Sequence, residues 1–257
     1  MLKSLDLSGK VAVVIGGTSG IGKTMSIGLA EAGADVVPCS RRIEAADPVA
    51  TEIEKHGRRS LRLAADVADR QSLTAAREEI LAKLGRIDIL INCAGRIKRT
   101  PILDMPEEEW TAIIDTNLTG TLRACQIFAP PMLQQGWGRI VNIASLNSFV
   151  ALLEVGAYAA SKAGVAGLTK ALAVEWGSRG VNVNAIAPGV FRTPLNQQLL
   201  DGTDRGRELK MRTPLKRFGT VDELIGAAVL LSSDAASFVN GEIIVVDGGF
   251  LASGVNQ

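Results

Sequence analysis

Apolar runs of strand length alternate with longer amphipathic stretches along the whole chain. The runs are nearly continuous rather than alternating with polar residues, which is typical of strands buried on both faces of a parallel sheet. The predicted strands cover residues 11–16, 34–39, 60–65, 87–93, 139–144, 181–187 and 241–247. The predicted helices cover residues 20–32, 44–56, 70–84, 107–129, 156–178 and 220–233. This pattern predicts an α/β fold, a doubly wound (Rossmann) sheet of seven parallel strands with helices on both faces, in which residues 1–257 form a single domain.

One connection is much longer than the others. Residues 190–219 are polar, charged and rich in turn-forming residues. A connection of this length inside a compact domain is usually functional or disordered. We expect it to form a lid over the substrate, and a surface elaboration without function is the alternative.

The helix predicted over residues 107–129 is apolar on more than one side. A helix that is apolar all round has to be covered all round. The sheet covers one face, and another would be covered by the rest of the chain or by a partner subunit. Pro130 and Pro131 are expected to kink or end this helix.

Composition and charge exclude several classes of function. The 257 residues are 47% hydrophobic. They include 28 Lys and Arg and 27 Asp and Glu, which gives a net charge of +1. This balance argues against nucleic-acid binding, because contacts with phosphates require a basic surface. The sequence contains no run of about 18 uninterrupted apolar residues, so we expect no membrane span. The first ten residues contain no apolar signal stretch, so we expect a cytoplasmic protein.

Histidine and cysteine are scarce. The three cysteines are too few and too scattered for a disulfide framework or a zinc site. The single histidine, His56, lies in a charged run typical of the solvated end of a helix. We therefore expect no metal site and no hydrolase chemistry based on histidine.

A glycine-rich turn joins the first predicted strand to the first predicted helix. Its residues are Gly16, Thr18, Ser19, Gly20, Ile21 and Gly22, with Gly17 after the first glycine. Glycines keep such a turn tight and let the backbone approach a pyrophosphate at the positive N-terminus of the helix. The turn therefore predicts a dinucleotide site, and a purely structural strand closure is the alternative.

The end of the second predicted strand bears on which dinucleotide binds. An NAD-binding protein places an acidic residue there, which bonds the ribose 2′-hydroxyl and repels a 2′-phosphate. Here the strand ends in Ser40, Arg41 and Arg42, without a carboxylate. A guanidinium group pairs well with phosphate. We expect NADP(H), with NAD(H) as the alternative if both arginines are merely solvated loop charges.

The only tyrosine of the chain, Tyr158, lies four residues before Lys162 in a predicted helix, so their side chains share a face. A phenol with a pKa near 10 is a poor base at neutral pH, and lowering that pKa by about three units requires roughly 4 kcal/mol. One positive charge about 4 Å away supplies on the order of 4 kcal/mol at an effective dielectric constant near 20. We therefore expect Lys162 to lower the pKa of Tyr158.

Two further polar residues are candidates for catalysis. Ser145 follows the fifth predicted strand, and ligands of open α/β sheets bind at the carboxyl ends of the strands. A hydroxyl there can donate a hydrogen bond to a carbonyl oxygen on which negative charge develops. Asn117 lies in an otherwise apolar helix, where its amide either satisfies backbone groups or holds water in a proton path.

The motifs and their order along the chain resemble those of the classical short-chain dehydrogenase/reductase family over about residues 6–250. The segments that carry the resemblance are the glycine turn, Asn92-Cys93-Ala94-Gly95, Ser145, Tyr158 with Lys162, and Pro188-Gly189. The chain departs from the family pattern at Ile15, where threonine is usual, and at Cys93, where a second asparagine is usual.

The resemblance implies roles for these residues. Tyr158 would be the general acid/base, and Lys162 would also bind the nicotinamide ribose. Ser145 would orient the substrate oxygen, and Asn117 would complete a proton relay. Further cofactor contacts are implied for Asp66, Val67, Asn92, Ala94, Gly95, Pro188, Gly189, Val190 and Thr193.

Basic residues follow the fourth predicted strand and recur in the long connection. Contacts with an anionic substrate are expected from Arg96, Lys98, Arg99 and Arg192, with plain surface charge as the alternative. The stretches CAGRIKRTPILDMPEEEW and APGVFRTPLNQQLL resemble the sugar-acid branch of the family, of the gluconate 5-dehydrogenase and 2-deoxygluconate 3-dehydrogenase type. The resemblance implies hydride transfer between a nicotinamide cofactor and a secondary alcohol or ketone of a sugar acid such as gluconate or 5-ketogluconate.

Other functions remain open. A 3-oxoacyl-[acyl-carrier-protein] reductase would use the basic residues to dock an acidic carrier protein. A non-catalytic NADP-binding regulator is a second alternative, although a sensor would not need Ser145, Tyr158 and Lys162 together. Members of the family are commonly tetramers, so the resemblance also implies a homotetramer, a dimer of dimers.

Overall fold

Seven parallel strands form one sheet in a computed structural model that describes residues 2–193 and 196–254. The strands are β1 (Val11–Ile15), β2 (Asp35–Ser40), β3 (Leu63–Ala64), β4 (Ile89–Asn92), β5 (Gly138–Ile143), β6 (Val181–Pro188) and β7 (Ile243–Val246). Their order is β3-β2-β1-β4-β5-β6-β7, so the order reverses between β1 and β4. The predicted doubly wound sheet is confirmed.

Helices cover both faces of the sheet. They are α1 (Gly20–Glu31), α2 (Asp47–Lys55), α3 (Arg70–Leu84), α4 (Glu107–Ile114), α5 (Gly120–Gln135), α6 (Gly156–Trp176), α7 (Gln197–Leu200), α8 (Asp204–Arg212) and α9 (Ile225–Ser232). On one face Leu29, Ile53 and Leu231 pack against the sheet from α1, α2 and α9. On the other face Ile80 and Phe128 do so from α3 and α5. None of the described helices is long and apolar enough to cross a membrane.

The third strand is much shorter than the predicted 60–65. Only Leu63 and Ala64 pair with β2. The hydroxyl of Ser60 donates to the Val36 carbonyl oxygen at 2.7 Å, and the backbone amide of Arg59 donates to the Asp35 carboxylate. These contacts tie the chain before β3 to the edge of β2 in place of regular strand pairing.

The helix predicted over residues 107–129 extends beyond residue 129 and is interrupted by a π-helical segment. Its parts are α4, a π-helical segment (Asp115–Thr119) and α5. The expectation that Pro130 and Pro131 end it is wrong, because both lie inside α5. A proline has a helical φ but lacks the amide hydrogen and crowds the preceding turn, so a kink at Pro130 and Pro131 stays a prediction; the buried Met132 packs the turn that follows. The helix ends at Gly136, whose φ is 70°.

The predicted lid at residues 190–219 contains the short helices α7 and α8. Residues 194 and 195 of this segment lie outside the described part of the chain. Leu200 and Leu209, one from each helix, pack with Leu146 and Phe250 into a small apolar cluster. The segment is therefore folded against the body of the protein, and its function as a lid stays a prediction.

The carboxyl ends of β1, β4, β5 and β6 meet at one edge of the sheet, next to the point where the strand order reverses. Ligands of open α/β sheets bind in this crevice. The topology therefore brings together the glycine turn after β1, Asn92 at the end of β4 and Ser145 just after β5.

Candidate active site

The glycine turn is packed closely against the segment that follows β4. Gly16 has a φ of 81°, a conformation that favours glycine. A Cβ atom on Gly16 would lie 2.6 Å from the backbone nitrogen of Ala94, and one on Gly22 would lie 2.1 Å from the carbonyl oxygen of Gly16. The turn can have this shape only with glycine at both positions.

The start of α1 has room for a ligand. Ser19 is the N-cap residue, and its hydroxyl caps no amide of the described chain. The first amides of any helix lack intrahelical partners, so those after Ser19 are available to an anion. Beside Gly20, a Cβ atom would meet only Thr193 Cγ2, at 3.9 Å. This open cradle fits the pyrophosphate of a dinucleotide.

The end of β2 adjoins the glycine turn, since the amide of Gly16 donates to the Cys39 carbonyl oxygen at 2.8 Å. The hydroxyl of Ser40 donates to the Arg42 carbonyl oxygen at 2.9 Å and shapes the loop. Arg41 and Arg42 are exposed, and neither has an ion-pair partner among the described residues. Both guanidinium groups are therefore free to meet a phosphate.

Other predicted cofactor residues border the same crevice. The carboxylate of Asp66 accepts a hydrogen bond from the Ala68 amide, which fixes the turn after β3. Val67 packs against Gly120, where a Cβ atom would lie 2.8 Å from Val67 Cβ. Beside Gly95, a Cβ atom would lie 3.9 Å from Lys162 Nζ. These residues thus lie along the crevice between β3 and the neighbourhood of Lys162.

A buried polar network that the sequence analysis missed holds this part of the site together. Asn92 Nδ2 donates to Asn142 Oδ1 at 2.9 Å, and Asn142 Nδ2 donates to Thr169 Oγ1 at 3.0 Å. The network joins β4, β5 and α6. The signal for it was the asparagine in the otherwise apolar run Arg139–Ala144. Asn92 Oδ1 is buried and has no partner in the described chain, a second feature that suits a bound polar ligand.

Ser145, just after β5, and Tyr158, near the start of α6, bring their hydroxyl groups near one another. Burial raises the pKa of Tyr158, and the interaction with Ser145 lowers this pKa by less. Ser145 Oγ also accepts a hydrogen bond from the Asn147 amide at 3.1 Å, which orients the hydroxyl.

Lys162 lies one helical turn after Tyr158, as predicted. Its ammonium nitrogen is 5.7 Å from the centre of the tyrosine ring and donates to the Ile143 carbonyl oxygen at 2.6 Å. Burial lowers the pKa of Lys162 to about 8, opposed by the nearby Cys93. The expected lowering of the Tyr158 pKa is not found in the chain by itself, because burial of the phenol raises this pKa by more than Ser145 lowers it.

Asn117 lies in the π-helical segment and is fully buried. Its side-chain Oδ1 accepts a hydrogen bond from the backbone amide of Arg96 at 2.8 Å. Its Nδ2 donates to the Arg96 carbonyl oxygen and to Ser161 Oγ, both at 3.0 Å. Of the two expectations for this residue, the structure favours the satisfaction of backbone groups. A proton relay through Asn117 stays a prediction.

A cavity of about 310 Å³ opens beside the pair Ser145 and Tyr158. The predicted cofactor residues that line it are Ile21, Pro188, Gly189, Val190 and Thr193. Much of the remaining wall is apolar and comes from Leu146, Leu152, Leu200 and Leu209. The crevice therefore offers a partly enclosed space next to the candidate catalytic groups.

Most of the predicted substrate-binding cations do not reach this cavity. Arg96 and Lys98 both pair with Glu109, at 2.6 and 3.4 Å, and Arg192 forms a bidentate pair with Asp201. Nearby carboxylates hold these three cations away from the cavity wall, and their contact with a substrate stays a prediction.

Arg99 does line the cavity. It pairs with Glu154 at 2.5 Å, and Arg205 of α8 lines the cavity as well. The sequence analysis missed Glu154 and did not single out Arg205 among the arginines of the long connection, because their positions depend on how three loops pack.

Comparison with known proteins supports the arrangement. A family model described as Enoyl-(Acyl carrier protein) reductase matches residues 16–251. The chain is 40% identical over 255 residues to 2-dehydro-3-deoxy-D-gluconate 5-dehydrogenase of Dickeya dadantii, covering 98% of this chain and 99% of that protein. It is 43% identical over 244 residues to D-threitol dehydrogenase of Mycolicibacterium smegmatis, covering 95% of this chain and 94% of that protein.

Among solved structures, a crystal structure of a gluconate 5-dehydrogenase from Burkholderia cenocepacia J2315 in complex with NADP and tartrate is similar, with a TM-score of 0.95. The two sequences are 39% identical, and the match covers 98% of this chain and 99% of that chain. The whole fold is therefore shared with that structure.

Proposed function

Because the chain belongs to the short-chain dehydrogenase/reductase family, we propose that it is an NADP(H)-dependent oxidoreductase that interconverts an alcohol and a ketone of a sugar acid. The observation that carries the proposal is that Ser145 and Tyr158 lie together on the wall of one cavity, next to the glycine turn. A bound NADP(H) would supply the hydride donor or acceptor.

The chain's own residues would handle the proton. With its pKa raised by burial, Tyr158 is protonated at neutral pH. A protonated phenol can donate to the oxygen of a ketone as that oxygen becomes an alkoxide. Ser145 would hold the same oxygen by a hydrogen bond that strengthens as charge develops. Lys162, still mainly charged at pH 7, would stabilise the phenolate left behind.

The preference for NADP(H) would come from Arg41 and Arg42. Both guanidinium groups are exposed and lack carboxylate partners among the described residues, next to a turn that suits a pyrophosphate. The related gluconate 5-dehydrogenase was crystallised with NADP. Use of NAD(H) is the alternative.

The choice of a sugar acid is supported by two observations. Relatives with this activity in their names match nearly the whole chain. In addition, Arg99 and Arg205 place two cations on the cavity wall; Glu154 pairs with Arg99, and Glu208, the other carboxylate near Arg205, pairs with Arg212. An anionic substrate would balance this excess of positive charge.

A neutral polyol is the second candidate substrate. It is favoured by the 43% identity to D-threitol dehydrogenase over 244 residues.

A substrate screen tests these choices. The purified chain would be assayed by NADPH oxidation with keto-sugar acids, neutral ketoses and 3-oxoacyl thioesters, and by NADP reduction with gluconate and D-threitol. We expect the highest kcat/KM with a sugar acid. Turnover confined to D-threitol would favour the polyol, and turnover confined to acyl thioesters would favour a carrier-protein reductase. Binding of NADP(H) without turnover of any class would favour the regulator.

We also propose a homotetramer. Trp110 of α4 is 39% exposed and Val174 of α6 is 84% exposed, so both helices present apolar side chains that a partner subunit would cover. Val245 of the edge strand β7 is exposed as well. Light scattering should give the molar mass of four chains, and the mass of one chain at micromolar concentration would contradict this.

The cytoplasm is the proposed site of action. Cys39, Cys93 and Cys125 are all free thiols, the state that a reducing compartment maintains.

A further inference from the structure

Three charged residues from three separate segments of the chain meet at the wall of the cavity. Arg99 follows β4, Glu154 precedes α6, and Arg205 lies in α8 of the long connection. We call them the charge cluster. Arg99 pairs with Glu154 at 2.5 Å, and both Arg99 and Arg205 line the cavity that holds Ser145 and Tyr158. The cluster is thus the main ionic feature within reach of a substrate.

Arg205 differs from the other charged residues of its helix. The remaining ones (Asp204, Arg207, Glu208, Lys210 and Arg212) are exposed, whereas Arg205 is partly buried. It shares a helix face with Leu209, four residues later, and both side chains line the cavity. Arg205 also donates to the Leu153 carbonyl oxygen at 3.4 Å, which directs it toward the loop before α6.

Glu154 is held in an unusual conformation. Its φ is 65°, in the left-handed region that few residues other than glycine adopt. Its carbonyl oxygen accepts from the Thr100 amide at 2.8 Å, while its carboxylate holds Arg99. Backbone and side chain together fix the loop that carries Arg99, so Glu154 acts as a positioning residue.

The charges of the cluster do not cancel. Glu154 is engaged by Arg99, and Glu208, the other carboxylate near Arg205, pairs with Arg212 at 3.2 Å. Within the described chain, Arg205 has no carboxylate within 4 Å. Burial and the charge of Arg99 lower the pKa of Arg205. Keeping this guanidinium charged beside another cation therefore costs free energy. An anion bound between the two would remove that cost.

We propose that Arg205 is a specificity-determining residue that binds the carboxylate of the substrate, with Arg99 held beside it by Glu154. This inference rests on the proposed function. It assigns recognition of the anionic end to α8, and thus gives the long connection a role in selecting the substrate. Arg96, Lys98 and Arg192 are paired with other carboxylates and are not part of it.

The test compares Arg205→Gln with the control Arg207→Gln. Arg207 lies two residues along the same helix, is exposed and pairs with Asp204. For the best sugar acid, we expect Arg205→Gln to raise KM about 10- to 100-fold, the range typical of a lost hydrogen bond to a charged group, and to change kcat less than threefold. For a neutral ketose, KM should stay unchanged. Equal effects on both substrates, or none on the acid, would overturn the proposal.

A binding measurement separates this proposal from the proposed function. Calorimetry with NADP present would measure the affinity of each variant for tartrate, a small hydroxy-dicarboxylate that needs no turnover. We expect wild type and Arg207→Gln to bind tartrate and Arg205→Gln to bind it at least 10-fold more weakly. If wild type reduces no sugar acid, the proposed function fails, but this difference would still support Arg205. If tartrate binds wild type and Arg205→Gln equally, or binds neither, the role of Arg205 is refuted.

Glu154→Gly tests the positioning role. Glycine relieves the left-handed backbone, so the melting temperature should not fall, yet loss of the Arg99 pair should raise KM for the acid severalfold. An unchanged KM for the acid would show that Glu154 does not position Arg99.

Discussion

Lys162 places its ammonium nitrogen 5.7 Å from the centre of the Tyr158 ring but donates its short hydrogen bond, 2.6 Å long, to the Ile143 carbonyl oxygen. The hydroxyl of Tyr158 lies near that of Ser145 instead. The lysine is thus fixed to the end of β5. Both groups are buried, which favours their neutral forms.

Replacement of Tyr158 by Phe should abolish turnover and leave cofactor binding intact. The substitution removes only the hydroxyl that would carry the proton, so kcat should fall by about 100- to 10,000-fold. Steady-state kinetics and NADPH fluorescence titration measure the two quantities. Phe238→Leu, at a fully exposed aromatic residue, is the control and should change neither. Retention of more than a tenth of wild-type kcat would rule out Tyr158 as the acid.

Replacement of Lys162 by Met should stabilise the protein at neutral pH while it lowers activity. The folded pKa of Lys162 is about 8, below the ordinary 10.5, so the unfolded chain binds more protons between these values. The free energy of unfolding of wild type should therefore rise with pH across this range, and below pH 8 the buried charge costs on the order of 1–3 kcal/mol.

Urea unfolding at pH 7 and pH 9.5 measures this effect. The advantage of Lys162→Met should be largest at pH 7 and should shrink at pH 9.5. Lys170→Met, on the exposed side of the same helix, is the matched control. A variant that is less stable than wild type at pH 7 would mean that the bond to Ile143 outweighs the cost of burial.

The double variant Arg41→Gln/Arg42→Gln should lose its preference for NADPH. Each lost hydrogen bond to a charged phosphate is worth about 1.5–3 kcal/mol, so KM for NADPH should rise at least 10-fold. KM for NADH should stay within about twofold, because NADH has no 2′-phosphate. Arg179→Gln, at another exposed arginine, serves as the control. Equal changes for both cofactors would exclude specific recognition of the 2′-phosphate.

Gly22→Ala and Gly167→Ala should have opposite effects on stability. A Cβ atom on Gly22 would lie 2.1 Å from the Gly16 carbonyl oxygen, whereas one on Gly167 would meet nothing within 4 Å. We expect Gly22→Ala to cost about 1–3 kcal/mol of unfolding free energy and to weaken NADPH binding. Gly167→Ala, inside α6, should stabilise the chain by up to about 1 kcal/mol. Similar melting temperatures for both variants would contradict the close packing of the turn.

Local patterns were enough to predict the sheet and the core of the candidate site. Continuous apolar runs predicted the parallel strands, because burial on both faces is a property of the strand itself. The spacing of Tyr158 and Lys162 predicted a shared helix face, and Ser145 was expected at the carboxyl end of a strand. Each of these inferences depends on residues close together in the chain, so the sequence alone determined them.

Only the tertiary structure decided which charges meet and how burial shifts them. Arg96 and Arg192 looked like substrate contacts but are held by Glu109 and Asp201, while Arg205 reaches the cavity beside Arg99. The pKa of Tyr158 rises rather than falls, because desolvation depends on everything packed around the phenol. Pairing and burial are set by contacts between distant segments, and a residue type and its neighbours in the chain do not encode them.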